Sequence, residues 1–415
     1  VFKYVKCFKY FIVDFIKMQY HTRIQPTIAF VLPYLKSRGT EKQALGLAKG
    51  FVEKGARVIL FVVQGWGQEA MYRAFAQAGV EVIHVGSPDC EGEKRVRFLR
   101  VFRLATLAKE YNCDILLSRA GMTNQICGYA GMMARIPALV VLSGSVNWDR
   151  LNIRVPFSRF ITFVVASLMF GRPHHVITVS RQAEENFILN NPMAAHSVTA
   201  IPNGVDIETL RTLSAASSNY VLPQDRFNLC YSGSLEIDRK GLDILLEAIY
   251  HLVYEENQRD LLLTLIGTGD DMLKVQDLVD TYALSNYVHF SGETDNPHSI
   301  IQQADLFILP SRREGMPNAL LEAMALGICS IASDCDTGPR EIITHGTNGL
   351  LVPVENSRAL ASAIYEVKDD NALRRHLADN GRQTVESGFS YQIMIDRYYD
   401  LIESIVFNNT RRERI

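Results

Sequence analysis

"DLFILPSRREGMPNALLEAMALG", Asp305–Gly327, sets a short apolar run against a polar loop and an Ala- and Leu-rich helical run. A strand apolar along its whole length belongs in a parallel sheet covered on both faces. Pro317 suits the first turn of the helix that follows. Gly315 lets the backbone approach a ligand closely. The free N–H groups around Met316 to Leu320 can hold phosphate oxygens, aided by the helix dipole. Glu314 precedes this helix, and Glu322 lies a turn or more inside it. A carboxylate accepts two hydroxyl hydrogen bonds, which suits a sugar or ribose diol.

The same alternation runs outward through the chain. "TIAFVLPYL", "ARVILFVVQ", "VEVIHVG", "CDILLSR", "ALVVLSG" and "HVITVS" read as strands, separated by helical patterns such as "EKQALGLAKGFVEKG". They make one doubly wound domain ending near Asn203. "NGVDIETLRTLSAASSNYVLPQDR" is polar and reads as a linker. A second series follows in "FNLCYSGSL", "LLLTLIGTG", "YVHFSG", "DLFILPS", "CSIASD" and "GLLVP". Ligands of such sheets bind beyond the carboxyl ends of the strands, here in the cleft between two domains. The domains are expected over residues 20–205 and 206–385. A basic extension covers 1–19, and residues 386–415 form a helix returning to the first domain, with a frayed tail.

At 415 residues the chain suits two domains of roughly 200 residues each. Seven cysteines without a CxxC pair fit a reducing cytosol and argue against a zinc site. Residues 1–200 hold 25 Lys and Arg against 13 Asp and Glu, and the remainder holds 18 against 32. The basic half is expected to meet something anionic, such as a membrane surface or a phosphorylated acceptor. No nucleic-acid motif is present. The longest apolar run, Phe160–Gly171, has about 12 residues, a length that favours a buried helix over a membrane span. The N-terminus interleaves Lys3, Lys6, Lys9 and Lys17 with aromatics. It reads either as an amphipathic helix on a membrane or as an extension upstream of Met18.

In "SGSLEIDRKGLDILLEA" a strand ends at Tyr231, a loop carries Gly233 and Ser234, and Arg239 and Lys240 precede a helix starting at Gly241. Two cations at a helix N-terminus suit a diphosphate. "EKRVRFLRVFRLATLAK" reads as a helix with Phe98, Phe102 and Ala105 on an apolar face and Arg97, Arg100 and Arg103 on the other side. With Arg95 they form a candidate grip on a lipid-linked pyrophosphate or anionic headgroups, beside the plainer reading of a solvated face. "DCD", Asp334–Asp336, mimics a metal-binding Asp-x-Asp, but its place after a strand favours a turn and helix cap.

With these pieces in order, residues 25–405 resemble the family-four retaining glycosyltransferases of GT-B fold. The resemblance rests on "RGTEKQALGLAKGFVEKGARV", "HVITVSRQ", "IPNGVD", "RKGLDILLEA", "LLLTLIGTGDD", "VHFSGETDN", "EGMPNALLEAMALG" and "SDCDTGPREIITHGTNGLLVP". It implies an α/β chain of two Rossmann-like doubly wound domains facing each other across a cleft. It implies that Glu314 binds donor-sugar hydroxyls and Glu322 the ribose. Gly315, Met316 and Asn318 would offer backbone N–H groups to the diphosphate, and Lys240 with Arg239 would neutralise the leaving group. Gly39 would let donor and acceptor approach, and Gly267 and Gly269 would line the nucleotide end. Ser234 stands where members often carry Arg, and "LSGSVNWDR" lacks the His that many place after that strand.

The resulting expectation is a metal-independent retaining enzyme without cofactor. Its donor would be a nucleotide sugar, most like a UDP-hexose or UDP-N-acetylhexosamine. Its acceptor would be a glycan or lipid-linked glycan in polysaccharide biosynthesis. It would lie in the cytoplasm, on the inner face of the membrane as a peripheral protein. A nucleotide-sugar 2-epimerase, a GDP-mannose-dependent mannosyltransferase and a non-catalytic partner subunit are the alternatives on the same scaffold.

Overall fold

The computed structural model describes residues 25–36, 39–65, 67–86, 94–119, 121–143, 174–190, 192–216 and 220–412. The basic extension lies outside the described residues.

The apolar runs form two wholly parallel sheets. The first contains β1 (Thr27–Leu32), β2 (Arg57–Val62), β3 (Glu81–His84), β4 (Ile115–Ser118), β5 (Ala138–Leu142), β6 (His175–Thr178) and β7 (Val198–Ala200), in the order β3-β2-β1-β4-β5-β6-β7. The second contains β8 (Phe227–Ser232), β9 (Leu261–Ile266), β10 (Val288–Gly292), β11 (Leu306–Leu309), β12 (Cys329–Ser333) and β13 (Leu350–Val352), in the order β10-β9-β8-β11-β12-β13. The edge strands β3, β7 and β10 are only partly buried, while the central strands are buried almost throughout, as in β4, β9 and β11. Burial on both faces is why these strands carry no polar alternation.

Each sheet reverses its winding direction at one point, between β1 and β4 in the first and between β8 and β11 in the second. At such a point neighbouring loops diverge to opposite sides and leave a crevice beyond the strand ends. Gly39 and Arg119 flank the first crevice, following β1 and β4. Lys240 and Glu314 flank the second, following β8 and β11.

The stretch read as a linker contains a helix, Ile207–Ala215. Its Ser- and Thr-rich composition hides a capping arrangement. Asp206 accepts from the Thr209 N–H at 3.1 Å and from the Thr209 hydroxyl at 2.8 Å, and Leu210 is buried. The cap satisfies an otherwise orphaned donor, and the buried Leu anchors the turn. Nearby, Val205 pairs with Ser390, and the Tyr391 N–H donates to the Val205 carbonyl at 2.9 Å. Two chain crossings therefore lie side by side between the domains.

The final helix, Tyr391–Arg412, packs on Gly39–Glu53 of the first domain. Gly46 and Gly50 leave room for Tyr391 and Ile395, and Lys54 pairs with Asp396 at 2.6 Å.

Candidate active site

The two loops beyond β8 and β11 are tied together by charge. Lys240 Nζ lies 2.5 Å from Glu314 Oε1, with side-chain exposures of 13% and 8%. The Ser311 hydroxyl also donates to that oxygen at 2.7 Å. Below this pair, Arg312 clamps the loops. Its guanidinium donates to both Asp243 oxygens at 2.8 and 2.7 Å, to the Ile237 carbonyl at 2.8 Å, and to Glu355. Such a fork fixes direction as well as distance. The Arg312 N–H donates to the Arg239 carbonyl, and Thr337 donates to the Glu314 carbonyl. Lys240 and Glu314 are thus held by backbone and side chain on both sides.

The helix after the glutamate loop runs Asn318–Ala325, with Pro317 in the capping position, one residue earlier than expected. Gly315 and buried Met316 lead into it. Glu322 lies on this helix. It keeps 30% of its side-chain surface open, and His298 Nδ1 stands 3.8 Å from its Oε2. Burial raises its carboxyl to about 7, opposed by the charge of Lys42 from the facing domain. The side open to water limits that rise. Burial also lowers His298 to about 4, with Lys42 adding to the effect. His298 Nδ1 is buried and unpartnered among the described residues, an arrangement that costs free energy unless a ligand supplies a bond.

Arg239 differs from expectation. It does not stand open beside Lys240 but forks onto Glu236, at 2.9 and 2.8 Å. The Glu236 carboxyl also accepts from the Ser234 hydroxyl at 2.6 Å, and the Arg239 bonds carry it down to about 2. Among the described residues the cation paired with Glu314 is therefore Lys240. Ser234 orients Glu236 from its side chain and accepts the Tyr231 hydroxyl through its carbonyl. Gly233, Gly267 and Gly269 bring two strand-end loops into backbone contact. A Cβ at Gly267 would collide with the Gly233 carbonyl, and one at Gly269 with the Leu235 backbone. Gly39 faces Asn318 across the cleft, where a Cβ would sit 3.1 Å from Asn318 Nδ2. Asp334 of the acidic triplet pairs with Arg340 at 2.8 Å, and the helix after it starts without a side-chain cap. Among the described residues no three His, Cys, Asp or Glu converge as metal ligands.

The arginine helix also differs. It spans Lys94–Glu110, but its phase is rotated from the expected one. Arg100 is only 6% exposed and lies inward with Val101, Leu104 and Ala105, whereas Leu99 and Phe102 are exposed. Arg103 remains on the outer side. The inward face follows the aliphatic residues that meet helix Gly121–Ala134, not Phe102. Arg100 therefore leaves the candidate acceptor or membrane set. The side chains of Arg95 and Arg97 lie outside the described residues.

Sequence reasoning passed over His298, Glu236, Arg119 and Glu341. His298 could have been flagged by its place after Pro297 at a helix start beyond β10. Arg119 and Glu341 become visible only through contacts distant in the chain, whereas Glu236 lies three residues before Arg239 and its spacing could have flagged the pair.

Two adjoining family profiles match this architecture. Residues 37–209 match "Glycosyltransferase Family 4", and residues 215–384 match "Glycosyl transferases group 1". Together with the two sheets, they place the chain among the family-four glycosyltransferases of GT-B fold. It is 27% identical over 319 residues to the N,N'-diacetylbacillosaminyl-diphospho-undecaprenol alpha-1,3-N-acetylgalactosaminyltransferase of Campylobacter jejuni, covering 74% of this chain and 81% of that one. It is 31% identical over 170 residues to the lipopolysaccharide core biosynthesis glycosyltransferase LpsE of Rhizobium meliloti, covering 40% and 47%. The structure of Anabaena HepE in complex with UDP and glucose superposes with TM-score 0.73 at 21% identity, covering 91% of this chain and all of that one.

Proposed function

We propose that this glycosyltransferase is a retaining enzyme that moves a hexose or N-acetylhexosamine from a UDP-sugar to a glycan or lipid-linked acceptor. The observation that carries the reading is the Lys240–Glu314 pair at the second sheet's winding reversal, beside the N-terminus of the helix bearing Glu322. A diphosphate laid against that N-terminus meets backbone donors and the Lys240 ammonium. The bond between the anomeric carbon and the phosphate oxygen breaks, and its electron pair leaves with the diphosphate. The acceptor hydroxyl forms the new bond on the same face and gives its proton to the departing phosphate. Glu314 holds sugar hydroxyls, and Glu322 holds the ribose diol. With Arg239 engaged by Glu236, the charge requirement falls on Lys240 and the helix, without a metal.

The choice of UDP is supported by HepE, solved with UDP and glucose. A lipid-linked acceptor is supported by the Campylobacter relative, named for a diphospho-undecaprenol substrate. No helix among the described residues is long and apolar enough to cross a membrane. The exposed Leu99 and Phe102, one turn apart with Arg103 beside them, form an apolar and cationic face, and Met132 and Met133 are exposed on the adjoining helix. That face suits anionic lipid, where a lipid-linked acceptor would be met.

The test is transfer from UDP-sugars to a diphospho-polyprenyl glycan, with and without EDTA. Transfer with retained anomeric configuration that persists in EDTA is expected. Loss of activity in EDTA removes the metal-independent mechanism. Epimerised sugar formed without any acceptor overturns transfer itself.

A further inference from the structure

Arg119 follows β4 at the first sheet's winding reversal and is 1% exposed. A buried guanidinium is ordinarily balanced by a carboxylate. Here its described hydrogen-bond partners are neutral. Nη1 donates to the Tyr398 hydroxyl at 2.8 Å, and Nη2 donates to Asn203 Oδ1 at 2.9 Å. Asn203 Nδ2 in turn donates to Asn318 Oδ1 at 2.9 Å. The relay starts on the final helix, passes the inter-domain crossing and ends on the first residue of the helix that carries Glu322.

The direction of this relay follows from chemistry. Arginine only donates, so Asn203 must turn its oxygen toward Arg119. Its amide nitrogen then faces Asn318, which must turn its own oxygen to meet it. Asn318 Nδ2 is left pointing onward, 3.1 Å from where a Cβ of Gly39 would sit. Among the described residues no acceptor takes its hydrogens. One buried cation thereby decides whether the cleft beside Gly39 is offered an N–H donor or a carbonyl oxygen.

We propose that Arg119 is a positioning residue whose donor-only guanidinium sets the polarity of this relay, so that the Asn318 side-chain amide donates to the donor's diphosphate. The inference rests on the nucleotide-sugar reading above. It adds a side-chain contact and its remote control to that site. An acceptor oxygen in the same place would repel a phosphate rather than bind it.

Asn203→Asp tests it, because aspartate can accept from Arg119 but cannot donate to Asn318. Arg119 gains a carboxylate partner, so Tm holds or rises. Asn318 must flip, present its oxygen to the cleft and lose the phosphate contact. UDP affinity measured by calorimetry on the full chain should fall roughly tenfold or more, the worth of a hydrogen bond to a charged group. Asn318→Ala should lose a similar amount, and the double variant no more than either single one. An additive double variant would mean that Asn203→Asp acts by its added charge alone and overturns the relay. So would Asn203→Asp with wild-type UDP affinity, or with a lowered Tm. A wild-type chain that binds neither UDP nor UDP-N-acetylglucosamine overturns the reading of the site itself, and this inference with it.

Discussion

Lys240 and Glu314 are paired at 2.5 Å across the winding reversal of the second sheet, each from the loop beyond a different strand. Both are mostly buried, so removing one charge strands the other. Lys240→Met should cost about 3 kcal/mol of stability, the typical penalty for an uncompensated buried charge. Adding Glu314→Gln should restore most of that, since the pair itself contributes little net stability. Turnover should behave differently. It should fall about 10²–10³-fold in Lys240→Met, the scale of losing one leaving-group stabiliser, and stay low in the double variant. Denaturant midpoints and initial rates on the same preparations separate the two effects. Recovery of turnover in the double variant would refute a role for Lys240 on the leaving group.

The two-sheet architecture was legible because parallel strands buried on both faces read as continuous apolar runs. β1, β8 and β11 are examples, each ended by a Gly, Pro or Ser loop. The glutamate pattern was legible because a loop and the helix it opens are local in the chain. Ion-pair partners were not. Arg239 and Lys240 are equivalent in sequence, yet one forks onto Glu236 three residues back and the other reaches Glu314 in a distant loop. The face of helix Lys94–Glu110 was misread for a related reason. With aromatic and basic residues interleaved, several phases look amphipathic, and only packing against helix Gly121–Ala134 selects the one that buries Arg100. Arg119 carried no signal at all, since its meaning lies in Tyr398 and Asn203.

Glu322 and His298 predict opposite pH slopes in one window. The folded Glu322 carboxyl is raised from its ordinary value to about 7 by burial. Between about 4.5 and 7 the native state therefore holds more proton than the unfolded chain, and stability falls as pH rises. His298 is lowered to about 4 by burial. Between about 4 and 6.5 the unfolded chain holds more proton, and stability rises with pH. In the wild type the two slopes oppose each other. Relative to wild type, Glu322→Gln should gain stability with rising pH, and His298→Gln should lose it. Other titrating groups cancel in these differences. Urea midpoints from pH 4.5 to 7.5 check the signs, and parallel profiles for all three proteins would remove the pair from the pH response.

The exposed apolar face predicts lipid binding that depends on hydrophobic side chains more than on arginines. Leu99→Ser, Phe102→Ser and Met132→Ser together should reduce flotation with vesicles containing anionic lipid at least severalfold, because each anchor contributes about 1–3 kcal/mol when buried. Arg103→Gln alone should cost about 1 kcal/mol and show mainly at low salt. Soluble-acceptor activity should be unaffected by either. Unchanged flotation of the triple variant would exclude this face as the lipid contact.

Glu341 joins the two domains at a third place. Its carboxylate accepts from the backbone N–H groups of Arg181 and Gln182, at 2.8 and 2.9 Å, at the start of helix Arg181–Asn190. Those donors belong to the first domain and the carboxylate to the second, so the contact caps a helix and fastens the cleft together. Negative charge at a helix N-terminus is favourable beyond the hydrogen bonds themselves. Glu341→Ala should cost about 1 kcal/mol, as loss of an N-cap does, and Glu341→Gln should cost less because one oxygen can still accept. The cleft should open more readily, so the radius of gyration from small-angle scattering should rise for Glu341→Ala in the absence of nucleotide and return toward wild type when UDP is added. A stability loss without any change in scattering would reduce Glu341 to a helix cap. No change in either would show that the contact is not formed in solution.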